Sequence, residues 1–144
     1  DKLGLEVEDP LPAPAAGRTA AEELLMPHRS YLSSVRPLLD HSGLHAMAHI
    51  TGGGLRGNIP RILPQGLAAH LHKGSWDIPP IFKLIKEQGN IDEAEMYQVF
   101  NMGIGMAIIC SSDRVDAISK ALPQVKIVGE IISQTKKEER VIIH

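Results

Sequence analysis

The chain has 144 residues and 15.7 kDa, with 15 Lys and Arg against 17 Asp and Glu, a formal net charge of −2. Near-neutral charge excludes a broad polyanion-binding surface. The single Cys110 excludes both a disulfide framework and a multi-thiolate zinc site, and no apolar run reaches the length of a membrane span. A folded domain of this mass exposes roughly 7,300 Å², about a third of its unfolded surface, so a full core needs no covalent staples.

In chain order, Asp1 in place of Met suggests a processed chain or a domain excised from a longer one, and Asp1–Val7, which alternates like a strand entered midway, favours excision. No basic-then-apolar leader opens the sequence. Pro10–Gly17 is a proline-stiffened surface loop. Thr19 with Glu22 is a capping box for a short helix that Pro27 stops. Tyr31, Leu32, Val35, Leu38 and Leu39 share one helical face, which Pro37 kinks or breaks. Ala46–Thr51 reads as a strand running into Gly52-Gly53-Gly54, and Leu67–Leu71 as a second strand. Pro79 and Pro80 open a helix that Gly89 ends, and Asp92–Glu95 opens another in the manner of a capping box. Ile104–Cys110 is a strand, Ser112-Asp113 caps a helix with Val115, Ile118 and Leu122 inward, and Val125–Ile132 is a strand. A charged, solvated turn at Lys136–Arg140 then leads into Val141–Ile143, giving β-α-β followed by a hairpin strand. The pattern predicts an α+β fold with a mixed, largely antiparallel sheet.

Two glycine clusters carry the chemical signal. In His49-Ile50-Thr51-Gly52-Gly53-Gly54, successive N–H groups can converge on an oxyanion with no side chain in the way. Thr51 and Asn58 add donors, Arg56 and Arg61 add charge, and Pro60 suits the first turn of a short helix. A tightly packed strand-to-helix turn is the competing reading. Gly52, Gly54 and Gly57 satisfy G-x-G-x-x-G, but Pro64 leaves no room for the helix a dinucleotide fold needs. Gly54-Leu55-Arg56 lacks the Gly-Lys-Ser/Thr of a P-loop. The second cluster, Gly103 and Gly105 at the mouth of an apolar strand, marks a bulge, a close packing contact or an approaching ligand.

Seven histidines do not make a metal site from spacing alone. His45 and His49 stand about 13 Å apart along a strand. His70 and His72 share a face but have no evident acidic or thiol partner, so no metal ligand is assigned. His49, beside the glycines, is the candidate ligand contact or proton handler, with a structural hydrogen bond as the alternative. Cys110 reads as a small core residue and Trp76 as a core anchor.

These blocks bring in a family. His49–Gly54, Asn58-Ile59-Pro60-Arg61, Ser75-Trp76, Pro79-Pro80-Ile81-Phe82, Glu95-Met96-Tyr97 and Phe100–Met106 closely resemble the phosphoribosylformylglycinamidine cyclo-ligases, the aminoimidazole ribonucleotide synthetases of purine biosynthesis. Gly17-Arg18-Thr19, Glu22–Leu25 and Val128-Gly129-Glu130 look like the same family. The resemblance spans nearly the whole chain, residues 1–144, as the family's C-terminal domain, with residues 1–17 an opening strand and Pro-rich loop and the N-terminal ATP-binding domain absent.

The resemblance implies a three-layer α/β/α unit, partly ferredoxin-like. It implies ATP-dependent ring closure of formylglycinamidine ribonucleotide to aminoimidazole ribonucleotide, through activation of the formyl oxygen and attack by the neighbouring nitrogen. ATP and Mg²⁺ are then held mainly by the N-terminal domain, which also builds a homodimer. The active cleft lies between the two halves, the isolated domain is silent, and the enzyme is cytoplasmic, without nucleic-acid or membrane partners.

On matching positions, His49 is carried over as the catalytic residue. Thr51, Gly52, Gly53, Gly54, Asn58, Arg61, Asn101, Gly103 and Gly105 are carried over as the substrate or phosphate side of the cleft. Where the family commonly reads Pro-Thr-Arg-Ile-Tyr-Val, this chain has Pro27-His28-Arg29-Ser30-Tyr31-Leu32, which puts the threonine's role in doubt. Two alternatives stand beside this reading. One is another enzyme of the same ATP-using superfamily, such as a thiamine-monophosphate kinase or selenophosphate synthetase. The other is a non-catalytic ferredoxin-like module that binds a small anion or pairs edge to edge. The enzyme reading predicts an open, one-sided cleft at Gly52–Gly54, and the module a closed pocket or a symmetric edge.

Overall fold

The computed structural model describes residues 3–40, 42–134 and 139–144. Among the described residues five strands, β1 (Leu44–His49), β2 (Leu67–Leu71), β3 (Met106–Cys110), β4 (Gly129–Ser133) and β5 (Val141–Ile143), form two sheets. In one, β1 and β3 run antiparallel from Leu44↔Cys110 to His49↔Met106, with a bulge between Leu44 and Ala46. In the other, β2 is central, antiparallel to β4 (Leu67↔Ser133 to Leu71↔Gly129) and parallel to β5 (Ala69↔Val141 to Leu71↔Ile143). The α+β class with mixed, largely antiparallel pairing is as the sequence predicts.

The connections are not. Val141–Ile143 makes no hairpin with β4 but pairs with β2, and β3 and β4 belong to different sheets. The reason is burial. Ala69, Leu71, Val141, Ile131 and Ile143 all join the main core, and β5 reaches that face only across β2. Gly129 makes the β2–β4 contact close, since a Cβ there would collide with the carbonyl oxygen of His70 and stand 2.8 Å from Leu71 Cα.

Among the described residues six α-helices flank the sheets: α1 (Ala20–Leu24), α2 (Leu32–Val35), α3 (Gly54–Asn58), α4 (Pro80–Gly89), α5 (Glu93–Val99) and α6 (Val115–Ala121). The Thr19–Glu22 capping box forms in full. Pro37 breaks the second helical stretch as expected, turning it into a 3-10 segment at Arg36–Leu38. Its predicted apolar face is not buried as a unit, however: Leu38 is buried while Leu32 and Leu39 are exposed. At α5 the helix starts where expected, but Asp92 makes no side-chain capping bond. Asn90, in the left-handed region, takes the cap of α4 that Gly89 was expected to supply. Ser112–Arg114 is a 3-10 turn leading into α6 rather than a simple cap.

No strand occupies residues 3–7, and residues 1 and 2 of the expected opening strand lie outside the described residues. The segment instead folds with the Pro-rich loop onto α4, where Leu11, Ala20 and Leu84 form a satellite core flanked by Leu5 and Ala15. The main core joins Ile50, Leu55, Ile59, Ala69, Leu71, Trp76, Met96, Tyr97 and Met102. The accessible surface is 9430 Å², about 30% above the roughly 7,300 Å² typical of a monomer of this mass. Large apolar side chains contribute to the excess, with Leu24 73% and Leu25 80% exposed.

Candidate functional site

Strand β1 delivers His49 to its end, and Ile50 continues the pairing by donating its N–H to Gly105 O at 2.9 Å. The chain then turns through Thr51, Gly52 and Gly53 into α3. The three adjacent glycines do three different jobs. Gly54 has φ +55 and sits on backbone: a Cβ would strike the Tyr97 carbonyl oxygen and lie 2.5 Å from that of Phe100. Gly53, at φ +94, takes the left-handed conformation that starts α3. Gly52 is exposed, and a Cβ on it would meet nothing within 4 Å.

The turn closes by donating the Gly54 N–H to Thr51 O at 3.1 Å. Among the described residues, no acceptor takes the N–H groups of Gly52 or Gly53. The nest therefore offers two free donors, not three.

Asn58 holds this turn from within. It is buried, and its Nδ2 donates to Gly54 O at 2.8 Å and to the carbonyls of Thr51 and Gly52 at 3.3 Å each. Its amide hydrogens are spent on the turn, so Asn58 braces it from within. Arg61 is exposed in the 3-10 segment Ile59–Ile62.

Thr51, Gly52 and Asn101 meet with Phe82, Val99 and Phe100 around an open depression of about 200 Å³. The glycine turn thus meets the Phe100–Met106 block at Asn101. At Gly103, a Cβ would lie 2.6 Å from Pro79 Cδ and 3.0 Å from Asp77 O, and at Gly105 it would collide with the Tyr31 hydroxyl. Neither glycine has room for a Cβ, and both border a larger cavity of about 410 Å³ between β3, α6 and residues 124–131. Trp76 is the core anchor expected, donating its Nε1–H to Met102 O at 3.0 Å.

His49 stands apart from the depression, in an aromatic group with His28 and Tyr31. The Nε2 atoms of His28 and His49 are 3.0 Å apart, the Tyr31 and His49 rings meet edge-on at 6.2 Å, and Arg29 lies over Tyr31. One of the two histidines must donate and the other accept, so the contact holds a single hydrogen. The residue that departs from the family pattern, His28, is the one that touches His49.

Sequence reasoning missed Arg140. Within the stretch read as a solvated turn, its guanidinium donates to the carbonyls of Leu63 (2.6 Å), Pro64 (2.7 Å), Pro60 (3.0 Å) and Leu67 (3.3 Å), and Glu139 pairs with Arg56 at 2.9 Å. Residues 136–138 of that stretch lie outside the described residues. Arg140 thereby pins the segment that follows the glycine turn to the start of β5. No local signal marks a lone arginine for that duty.

Near the site, burial pushes the Tyr97 hydroxyl pKa up, and the Glu93 carboxylate adds to the shift. The Lys73–Glu93 ion pair lowers the Glu93 pKa and raises that of Lys73, chiefly through their hydrogen bond. Burial also raises the Cys110 thiol, with Asp113 contributing, which fits a packing residue better than a nucleophile. The depression is lined by a hydroxyl, an amide and backbone, with no carboxylate among its lining residues. That donor set fits an anion such as a phosphate and does not fit Mg²⁺. Elsewhere, His70, His72 and Glu130 do come together. The acid that sequence spacing could not supply arrives from β4.

Residues 2–142 match the family described as AIR synthase related protein, C-terminal domain. The chain is 43% identical to the phosphoribosylformylglycinamidine cyclo-ligase of Trichlorobacter lovleyi, over 99% of this chain and 42% of that protein. It is 42% identical to the enzyme of the same name from Citrifermentans bemidjiense (95% and 39%) and 46% identical to that of Caldicellulosiruptor bescii (85% and 36%). It spans about two fifths of the length of these curated relatives. With its α+β architecture and nearly its full length matched, the chain belongs to the AIR synthase related protein C-terminal domain family.

Proposed function

We propose that this chain forms the phosphate-binding wall of a phosphoribosylformylglycinamidine cyclo-ligase, within a complete protein that closes formylglycinamidine ribonucleotide to aminoimidazole ribonucleotide. The observation that carries the reading is the open Thr51–Gly52–Gly53 turn. It offers two unclaimed N–H groups, and its Gly52 lines the depression together with Asn101, in a chain similar to enzymes bearing that name. Backbone donors fixed in place before the ligand arrives need no reorganisation on binding, which suits a reaction that depends on holding one end of the substrate while the other end reacts.

In this reading ATP supplies the phosphoryl group that activates the formyl oxygen. It is bound with Mg²⁺ mainly by residues outside this chain, because the depression has no carboxylate among its lining residues. The chain's own residues bind and orient. Gly52 and Gly53 give N–H donors, Thr51 and Asn101 give side-chain polar groups, and Asn58 and Arg140 keep the turn in shape. His49 holds or passes a proton at a ring nitrogen, its Nε2 steadied by His28.

The exposed Leu24, Leu25, Leu32 and Leu39 are the surface on which an N-terminal domain of the same enzyme would rest, in a cytoplasmic homodimer, and the 144-residue stretch alone is silent. The openness of the depression favours this reading over an anion-binding regulatory module with a closed pocket.

The test is a titration of the complete protein, labelled at glycine amides, with formylglycinamidine ribonucleotide. The Gly52 and Gly53 amides should shift strongly and saturably, and the Gly54 amide, already bonded to Thr51, much less. Saturating turnover with no movement at Gly52 and Gly53 would overturn the assignment.

A further inference from the structure

The outer face of the β2–β4 pair carries a second, separate group of donors. His70 and Glu130 are direct partners in the antiparallel register, which places both side chains on one face. Their neighbours Ala69, Leu71 and Ile131 point the other way into the core. His72 follows His70 by two residues and is tied to the same edge by its N–H bond to Val128 O at 2.9 Å. One ligand atom from each of His70, His72 and Glu130 lies within 4.8 Å of the others. The ring of His144 stands at 5.0 Å from that of His70, centroid to centroid, and its backbone N–H is held by Leu71 O.

One atom in this group lacks a partner. His70 Nε2 is shielded from solvent and makes no hydrogen bond, although His72, Glu130 and His144 surround it. A buried ring nitrogen without a partner costs stability unless something occupies its position. The groups gathered around His70 are two imidazoles and a carboxylate, which are metal ligands.

We propose that His70, His72 and Glu130 form a binding site for a divalent transition-metal ion, Zn²⁺ foremost. The fourth position is open to water or to His144. Two imidazoles and one carboxylate are borderline ligands suited to such ions, and a tetrahedral ion with bonds of about 2.0–2.1 Å holds its ligand atoms roughly 3.4 Å apart. From within 4.8 Å, side-chain rotation alone closes the set. The strand register fixes the His70–Glu130 pairing before any ion arrives, so the ion would staple β2 to β4. The site is independent of the glycine turn and of the reaction assigned to it.

The experiment uses the complete protein, stripped with chelator and titrated with zinc chloride by calorimetry, with cobalt(II) as a spectroscopic probe of the coordination sphere. Wild type should bind zinc saturably. Because loss of even an outer-shell partner weakens metal sites by about tenfold or more, His72→Ala and Glu130→Gln should each weaken one equivalent by at least that factor. Each should also abolish the visible bands of that cobalt equivalent. Both substitutions are at exposed positions, so the fold should survive, and circular dichroism confirms it. His45→Ala, on β1 and bonded to Ser111, should leave binding unchanged. Equal zinc and cobalt binding in wild type, His72→Ala and Glu130→Gln, or no binding in any of them, overturns the proposal.

Discussion

Asn58→Asp is the sharpest perturbation of the glycine turn, because it keeps shape while it removes the amide hydrogens and adds a buried negative charge. In the native turn, Nδ2 gives one N–H to Gly54 O at 2.8 Å and shares the other between Thr51 O and Gly52 O at 3.3 Å. A carboxylate oxygen in that place faces three carbonyl oxygens with nothing to donate. Two lost bonds at about 1 kcal/mol each, with a further kcal/mol or more for buried acceptors left without donors, give a loss of at least about 3 kcal/mol, to which the buried charge adds. For a domain near this size, with roughly 3–4 °C per kcal/mol, the unfolding midpoint should fall by at least about 10 °C. The assay is thermal and urea denaturation of the complete protein, paired with the substrate KM. KM should rise too, because the turn loosens, so stability is the discriminating readout. If the midpoint holds while KM rises, Asn58 is a ligand contact and not a brace, and the argument from its buried amide fails.

The remaining predictions come from neighbouring groups. Gly54→Ala should cost more than about 2 kcal/mol, since both its φ of +55 and the Tyr97 and Phe100 carbonyls oppose a Cβ. Gly52→Ala should change stability by less than about 1 kcal/mol, and thermal shift compares the two directly. Arg140→Met keeps the aliphatic stem but strips four carbonyls of their donor. It should cost about 2–4 kcal/mol, read by urea titration. The Cys110 thiol is raised by burial and by Asp113, so thiolate is scarcer at any given pH than for a free cysteine. Its alkylation by iodoacetamide should be slow at neutral pH, climb to a midpoint above the ordinary thiol range of about 8.5, and speed up in Asp113→Asn.

What the sequence made legible was local. The Thr19–Glu22 capping box, the Pro37 break and the bounds of β2 depend on residues within a few positions of one another, and all three are present as read. Pairing across the chain was not legible. The charged run before Val141 looks like a hairpin turn because turns are recognised by composition, yet β5 lies parallel to β2. What decides this is which core face Val141 and Ile143 can reach. Arg140 fails for the same reason: its four acceptors come from residues 60–67, and nothing in its own neighbourhood announces them. His70 and His72 were visible as a pair, but Glu130 becomes their neighbour only through strand register.

The glycines show why a motif can be recognised before its parts can be assigned. Gly52, Gly53 and Gly54 are identical in sequence and different in physics. Gly54 is demanded by carbonyls packed against it and Gly53 by its left-handed backbone, whereas folding asks nothing of Gly52. Gly52 is also the member of the three that lines the open depression. Gly103 and Gly105 argue the converse, since Pro79 and Tyr31 already occupy the space a side chain would take. Packing thus leaves Gly52, with its free N–H, unexplained among the glycines, just as it leaves His49, whose Nε2 is turned toward that of His28.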